Sequence, residues 1–349
     1  MNVNEKKRAL NLLGVLLFLY LFIFSLMLIR YSFSEIGKYV SEINIENISG
    51  INAFGLGWLL TLIMQSSGAA TSALMSLNYA GILGNIVLVY MILGTRIGTT
   101  ITALFVALLV SAKRRDFRHG FEIGLANLVY AFPIAIIMFF LEYFFSFFSK
   151  AGNYFLFSEV PFSINFVDKI TMPLISLIKF IPEYLLALLG ILLLILSLKK
   201  LPVFVLHLWA KDFLRKKTEK YIGKKSFSFF VGFVLAFFLT STSITITLLI
   251  PLIISRIINL KKIIPYLIGT NLGGVADVII GGMIIGKTSI PAVFTYVSFS
   301  VFGLFWLFNT DLMFRITKFI SKKTLHISKK RAVIFVLLFI LLAIVLSFI

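Results

Sequence analysis

Long apolar runs separated by charged segments dominate the chain. Several runs reach 18 residues or more, which is long enough for a helix to cross the hydrocarbon core of a bilayer. The runs are continuous and lack the alternation of membrane β-strands, so they predict helices rather than a barrel. We expect seven spanning helices, near residues 9–29, 84–111, 121–147, 180–200, 263–286, 289–309 and 332–349.

Composition supports the same conclusion. Hydrophobic residues make up 60% of the chain and charged residues only 13%. Soluble domains are about half apolar and a quarter charged, so the lipid bilayer is the expected solvent. The first run, 9–29, follows basic residues as a signal peptide does. It is longer than the apolar region of a usual signal peptide, and no small-residue cleavage site follows, so we expect a retained first helix.

The distribution of charge predicts the orientation. The net charge is +19, and the Lys and Arg residues are concentrated at the N-terminus and in segments 112–120, 199–225 and 310–331. Basic loops stay on the cytoplasmic side. We therefore predict a multi-pass cell-membrane protein with a cytoplasmic N-terminus, rather than binding to nucleic acid. Segments 30–52 and 148–172 are not basic and are expected outside.

Two further apolar segments, 53–80 and 227–254, do not fit as simple crossings. Segments 53–111 and 226–286 each hold two apolar pieces, but the charge pattern allows only one net crossing in each. The simplest solution makes the first piece of each a re-entrant hairpin. The predicted fold class is therefore an all-α integral membrane protein with about seven transmembrane helices and two re-entrant hairpins.

An internal repeat relates these segments at an offset of 175 residues. The polar run that starts at Gln65 falls on the run that starts at Thr240, and the glycine motif 94–98 falls on 269–273. One copy begins outside and the other inside, which predicts inverted-topology repeats, a usual architecture of secondary transporters. The alternative, that small residues serve only to pack membrane helices, stays open.

The repeat divides the chain into five expected parts. The first, 1–52, is an N-terminal transmembrane helix with an external segment. Repeat 1 covers 53–147 and repeat 2 covers 226–309, each with a hairpin, a broken helix and a helix. Between them, 148–225 is a linker with an external loop, a transmembrane helix and a basic cytoplasmic loop. The last part, 310–349, is a basic loop with a C-terminal transmembrane helix.

The polar run in the middle of segment 53–80 carries candidate anion ligands. Gly68 allows the positive φ of a tight turn, and non-helical backbone survives at this depth only where it lines a cavity or is buried in protein. After the turn, a half-helix would present free N–H groups and partial positive charge, which suit an oxyanion. The competing interpretation is that the hydroxyls bond only to carbonyls of their own helix. The substrate-binding candidates in the two runs are Gln65, Ser66, Ser67, Thr240, Ser241, Thr242 and Ser243.

The glycine motifs are expected to interrupt two helices that face the hairpin tips. Each Gly costs about 1 kcal/mol relative to Ala in a helix interior. Freed carbonyls there suit Na⁺, a hard cation that takes oxygen ligands. The expected backbone breaks are Gly68, Gly94, Gly98, Gly269, Gly273 and Gly274. The expected cation ligands are Thr95, Thr99, Thr100, Thr270, Asn271 and Asp277.

Arg96 and Asp277 are the two charges deepest in apolar surroundings. A charge at the membrane centre costs at least about 2.5–3.5 kcal/mol on insertion scales, so both are functional candidates. Arg96 presents a fork of donors that matches phosphate. Asp277 is suited to hold a cation, carry a proton or pair with Arg96. A private Arg96–Asp277 structural pair is the alternative.

The residues that an enzyme would need are missing from these segments. The chain has no cysteine, and its three histidines, His119, His207 and His326, lie in basic segments. No His, Asp and Glu residues share metal-ligand spacing. We therefore expect no catalytic residue, no transition metal and no cofactor, with Na⁺ or H⁺ acting only as a coupling ion.

The first copy resembles the sodium/phosphate cotransporter family. That family carries a Gln-Ser-Ser-Ser run and then a Gly-(Ala/Thr)-Asn-Ile-Gly-Thr-Thr run in each of two inverted repeats. Here the corresponding runs begin at Gln65 and Gly94, and the resemblance covers roughly 53–111 and 227–286. It implies that phosphate and Na⁺ are contacted by Gln65, Ser66 and Ser67 of the first copy and by Ser241, Thr242 and Ser243 of the second.

Four departures separate the chain from that pattern. Gly68 stands for the third serine, Thr240 for the second glutamine and Arg96 for the first asparagine, which Asn271 keeps in the second copy. The second glycine motif ends in Gly273-Gly274 rather than Gly-Thr-Thr. An added cation at Arg96 either replaces a bound Na⁺ or strengthens anion binding.

The resemblance implies Na⁺-coupled symport of inorganic phosphate by alternating access. The alternatives are transport of another small oxyanion, export on the same fold, an intramembrane enzyme for lipid phosphates, and a non-transporting membrane scaffold. The sequence leaves a homodimer open.

Overall fold

The computed structural model describes residues 3–40, 48–104, 114–156, 165–221, 224–247, 259–325 and 329–349, and within these ranges it contains helices and no β-strand. The 3-10 turn Lys287–Ser289 joins two of the helices. The helices are α1 (Val3–Val40), α2 (Gly50–Met64), α3 (Ser67–Tyr79), α4 (Asn85–Gly98), α5 (Arg114–Phe145), α6 (Phe147–Leu156), α7 (Asn165–Ile178), α8 (Glu183–Tyr221), α9 (Lys225–Leu239), α10 (Thr242–Thr247), α11 (Leu260–Gly273), α12 (Ala276–Ile285), α13 (Ile290–Phe302), α14 (Phe305–Phe308), α15 (Thr310–Leu325) and α16 (Lys329–Phe348).

Seven helical stretches in the described part of the chain are long and apolar enough to cross a membrane, and each overlaps one predicted span. The predicted all-α class and the seven candidate spanning helices are thereby confirmed for the described residues. The end of the predicted span 84–111 lies outside the described residues. The seven stretches are Ala9–Ile36, Asn85–Leu104, Gly120–Phe145, Glu183–Leu201, Leu260–Ile285, Lys287–Phe308 and Lys330–Phe348.

The two additional apolar segments are each interrupted near the middle. In the first, α2 ends at Met64 and α3 begins at Ser67. In the second, α9 ends at Leu239 and α10 begins at Thr242. Both interruptions therefore fall at the polar runs, and the last residues of the second predicted segment lie outside the described part of the chain.

Glycines let the helices pack closely in two equivalent pairs, α2 with α4 and α9 with α11. A Cβ placed on Gly94 would lie 2.0 Å from the carbonyl oxygen of Phe54, and one on Gly269 would lie 2.0 Å from that of Phe229. Each residue of the second contact stands 175 positions after its counterpart in the first. No side chain fits at either glycine, so the backbones touch as they do in other small-xxx-small membrane contacts. We call these two contacts the glycine seams.

The prediction that Gly94 and Gly269 interrupt their helices is wrong. Both lie inside continuous helices, α4 and α11. Gly98 and Gly273 are the last residues of those helices, and Gly274 follows as the C-cap residue of α11. The loss of helix propensity at an interior glycine is only about 1 kcal/mol, and packing in the seam offsets it.

Charged segments that were expected to be loops are largely helical. Helix α8 continues beyond its apolar part to Tyr221, and α15 occupies most of the basic segment 310–331. The expected external loop contains α6 and the start of α7. Basic charge marks the side of the membrane, but Lys, Arg and Glu are good helix formers. A basic segment therefore predicts a side of the membrane but does not predict an irregular backbone.

Candidate functional site

The two helix breaks open into one cavity of about 260 Å³. Gln65 and Ser66 line it from the first break, and Ser241 and Ser243 line it from the second. Four predicted substrate-binding residues, far apart in sequence, therefore meet. The volume lies below the roughly 300–1,000 Å³ of sites for drug-sized ligands, which favours a small solute. The other lining residues are Thr102, Leu198, Lys199 and Ile244.

The first break is a left-handed turn at Gln65, whose φ is 56°. Its backbone N–H donates to the carbonyl oxygen of Thr61 at 2.8 Å and closes α2. Ser66 then caps α3, because its Oγ accepts the N–H of Ala69 at 3.2 Å. The Thr102 hydroxyl donates to Gln65 Oε1 at 3.2 Å and fixes the amide at the cavity wall. A left-handed non-glycine residue costs about 1–2 kcal/mol, and such strain is concentrated at functional sites.

The second break repeats this geometry at Thr240, whose φ is 47°. A β-branched residue in the left-handed region is a genuine outlier. Ser241 caps the following helix, since its Oγ accepts the N–H of Ile244 at 3.3 Å. The Thr240 hydroxyl is buried without a hydrogen-bond partner among the described residues. Thr242 is buried beside the cavity and donates to the carbonyl oxygen of Thr270 at 3.3 Å.

The prediction that Gly68 takes the positive φ is wrong, because Gln65 takes it and Gly68 lies in the first turn of α3. A Cβ on Gly68 would lie 1.7 Å from Oδ2 of Asp277, so the glycine makes room for that carboxylate. Asp277 is 5% exposed in the first turn of α12, and its Oδ1 accepts the N–H of Val278 at 2.8 Å. Within the described residues Asp277 and Arg96 form no ion pair. The alternative of a private Arg96–Asp277 pair is therefore not realised.

Arg96 is not among the residues that line the cavity, and only 4% of its surface is exposed. Its Nη2 donates to Asn271 Oδ1 and to Ser300 Oγ, each at 3.3 Å. Its guanidinium carbon lies 4.3 Å from the ring centre of Tyr296 and 4.7 Å from that of Phe299. The Nε is buried without a partner among the described residues. Arg96 thus holds α4 to α11 and α13.

The predicted cation ligands also lie outside the cavity lining. Four of them donate their hydroxyls to carbonyl oxygens three or four residues earlier, at 2.7–2.9 Å: Thr95, Thr99, Thr100 and Thr270. This is the local bonding that the competing interpretation described. Each oxygen keeps lone pairs that can face a cation. The amide nitrogen of Asn271 donates to Asn127 Oδ1 at 3.1 Å and to the Leu267 carbonyl oxygen at 3.0 Å.

Several residues of this region could not be recognised as site residues from the sequence. Ser67 Oγ lies 2.8 Å from the hydroxyl of Tyr296, the ring on which Arg96 rests. Tyr296 and Ser300 lie in an apolar run, where a polar side chain is the only available signal. Lys199 was assigned to a basic loop because of its charge. Residue His326 and the side chains of His119 and His207 lie outside the described part of the chain.

These features define a multi-pass membrane protein, helical in the described residues, in which a cavity that contains several polar side chains lies where two apolar segments are interrupted. Residues 21–167, which include the first break and the first glycine seam, match the family model described as Na⁺/Pi-cotransporter. The resemblance to this family that the motifs of the first copy indicate is thereby confirmed.

Part of the chain is also similar to individual curated proteins. The chain is 35% identical over 123 residues to sodium-dependent phosphate transport protein 2A of Oryctolagus cuniculus, which covers 33% of this chain and 19% of that protein. It is 34% identical over 111 residues to the 2A protein of Mus musculus, with 31% and 17% covered. It is 32% identical over 118 residues to the 2B protein of Homo sapiens, with 33% and 17% covered. The match thus spans about a fifth of the length of these relatives. No solved structure matches the chain.

Proposed function

We propose that this protein is a secondary transporter that couples movement of inorganic phosphate, or a similar small oxyanion, to a cation gradient. The observation that carries the proposal is the single cavity lined by both helix breaks, with Gln65 and Ser66 on one side and Ser241 and Ser243 on the other. The names of the relatives state sodium-dependent phosphate transport, and the first break lies inside the matched segment. Phosphate is therefore the first substrate to test.

The donors in the cavity suit an oxyanion. Gln65 offers an amide, and the serines offer hydroxyls that can donate to phosphate oxygens while their lone pairs bond elsewhere. Helix α3 begins beside Ser66 and adds the partial positive charge of its first turn. Arg96 lies in the same buried region and acts through the field of its fixed charge rather than by direct contact. These features favour a small anion over a neutral solute.

The coupling ion is proposed to bind between the cavity and Arg96. Asp277 is a buried carboxylate, and its Oδ2 lies where a side chain at position 68 would otherwise be. Oxygens of Thr95, Thr99 and Thr100 from one half and of Thr270 and Asn271 from the other are the further ligands that we propose. Oxygen ligands of this kind suit Na⁺, and a lone buried carboxylate also suits a proton. Na⁺ is the first cation to test because the relatives are named sodium-dependent.

Inverted repeats would supply the alternating access. The matched glycine seams, the left-handed turns at Gln65 and Thr240 and the serine caps all recur at the 175-residue offset. This recurrence supports two structurally equivalent halves within the five-part division of the chain. With the basic segments and the N-terminus in the cytoplasm, one break would enter the membrane from each side as the tip of a re-entrant hairpin. The two halves would then rock around the shared cavity.

Tracer flux in proteoliposomes tests the proposal. Radiolabelled phosphate uptake should exceed that of empty vesicles when Na⁺ is higher outside, and it should fall to background when K⁺ replaces Na⁺. Ser241→Ala should lower uptake at least tenfold. Ser176→Ala is the matched control, because Ser176 bonds to Pro173 and does not line the cavity. Absence of phosphate flux under either a Na⁺ or an H⁺ gradient rejects phosphate symport, and a panel with sulfate and arsenate then identifies another oxyanion or none.

A further inference from the structure

Lys199 is the one cation among the eight described residues that line the cavity. It extends from α8 beside Leu198 and faces the same space as Ser66 and Ser241. Its surface is exposed, and it forms no ion pair within the described part of the chain. None of the eight lining residues is acidic. Among the described residues that line the cavity, no charge compensates this ammonium.

The two basic residues of this region differ in what they can reach. The Arg96 guanidinium is enclosed by Asn271, Ser300 and two aromatic rings, and its surface is 4% exposed. A solute in the cavity can reach it only if these contacts open. Lys199 carries three donors on a flexible stem that can follow a ligand. Direct contact with an anion in the cavity therefore falls to the lysine.

The position of Lys199 also marks one end of the cavity. It is the first basic residue of the segment 199–225, which follows the apolar part of α8. The cavity therefore opens toward the side of the membrane on which this basic segment lies. An anion that leaves the serines in that direction passes the ammonium, and an anion that enters from that side meets it first.

We infer that Lys199 binds the anion in the cavity together with Gln65, Ser66, Ser241 and Ser243. The inference rests on the proposed function and adds a specific residue to it. The ammonium donates to an anion oxygen, and such charge-assisted hydrogen bonds are roughly twice as strong as neutral ones. Loss of the charge should therefore weaken anion binding selectively. Lys200, which is exposed but does not line the cavity, is the matched control.

Charge replacement tests this in transport. Lys199→Gln should raise the KM for phosphate about tenfold with a smaller change in maximal rate, whereas Lys200→Gln should leave KM within about twofold. Because the chain has no cysteine, Lys199→Cys can be modified alone. Aminoethyl methanethiosulfonate forms a mixed disulfide that carries an ammonium and should restore the KM. The anionic sulfonatoethyl reagent should raise the KM further. Equal KM values for all these forms overturn the inference.

A binding measurement separates this inference from the proposed function. Ser243→Cys places a reporter thiol in the cavity of purified protein, and added phosphate, sulfate or arsenate should slow its labelling by a neutral maleimide. The concentration that protects should rise about tenfold with Lys199→Gln and stay unchanged with Lys200→Gln. Suppose that the wild-type protein transports no phosphate but another oxyanion slows thiol labelling in a way that depends on Lys199. Phosphate is then rejected as the substrate, and the assignment of Lys199 as an anion ligand is supported. If oxyanions protect equally with and without Lys199, or none protects, the assignment of Lys199 fails.

Discussion

The Nη2 of Arg96 donates to Oδ1 of Asn271 across 3.3 Å, and the two residues stand 175 positions apart. That spacing is the offset that relates the two glycine seams and the two helix breaks. Counterpart positions of the two halves are thus in direct contact, but one carries a guanidinium and the other an amide. At this contact, the two positions related by the offset are therefore chemically unequal.

Arg96→Ala is expected to act on stability and on anion affinity. Loss of the bonds to Asn271 and Ser300 and of the ring contacts should lower thermal stability, at a cost of about 1–3 kcal/mol. Loss of the fixed charge should weaken phosphate binding severalfold. Arg96→Lys, which keeps the charge but loses the planar fork, should lose stability while retaining most of the affinity. Unfolding temperature and KM, measured on the same detergent-purified preparations and their proteoliposomes, check both. Unchanged affinity in Arg96→Ala would make Arg96 purely structural.

Gln65→Gly separates the backbone of the first break from its side chain. Glycine adopts the left-handed conformation without steric cost, so relief of about 1–2 kcal/mol of strain should keep the protein at least as stable. Loss of the amide from the cavity should nevertheless lower phosphate uptake strongly. Melting curves and tracer flux measure the two effects. Thr240→Gly is the counterpart in the second half and should likewise preserve stability. Full uptake by Gln65→Gly would show that the glutamine serves only the turn.

Asp277→Asn should alter the dependence on the cation. The amide retains the size of the side chain and an oxygen for the Val278 N–H but removes the charge that would hold Na⁺ or a proton. Uptake should then become weak and nearly independent of the imposed gradient. Asp311→Asn is the control, because Asp311 pairs with Lys261 at 2.8 Å on the surface. Flux plotted against Na⁺ concentration and against pH checks this, and a normal gradient response in Asp277→Asn excludes the residue from coupling.

Gly94→Ala and Gly269→Ala should destabilise the protein by similar amounts. Each adds a Cβ where a carbonyl oxygen lies 2.0 Å away, so backbone must move at a cost of about 2–3 kcal/mol. Gly81→Ala is the control for backbone conformation alone, since its φ is +74° and no atom lies within 4 Å of the added group. It should cost about 1 kcal/mol. Unfolding temperatures rank the stability of the three variants. A smaller loss of stability in Gly94→Ala than in Gly81→Ala would contradict the close backbone contact at Gly94.

The spanning helices could be predicted because continuous apolar length determines them. The first helix break could be placed near residues 65–68, because polar groups at that depth need a non-helical backbone. The residue that takes the left-handed conformation could not be predicted. Gly68 is free to adopt it, but its lack of a side chain instead makes room for the Asp277 carboxylate. A glycine motif is also consistent both with a helix break and with a close contact between helices. Only the position of the neighbouring helix shows which of the two forms. Lys199 was missed because its role depends on where α8 packs against the two breaks.

The glycine seams have a mechanical consequence. With backbone against backbone, α2 cannot slide along α4 by a helical turn without driving ordinary side chains into carbonyl groups, and the same holds for α9 and α11. We therefore expect the two helices of each pair to move together as one rigid body. Spin labels placed on the two helices of one pair should keep a constant separation during the proposed alternation of access.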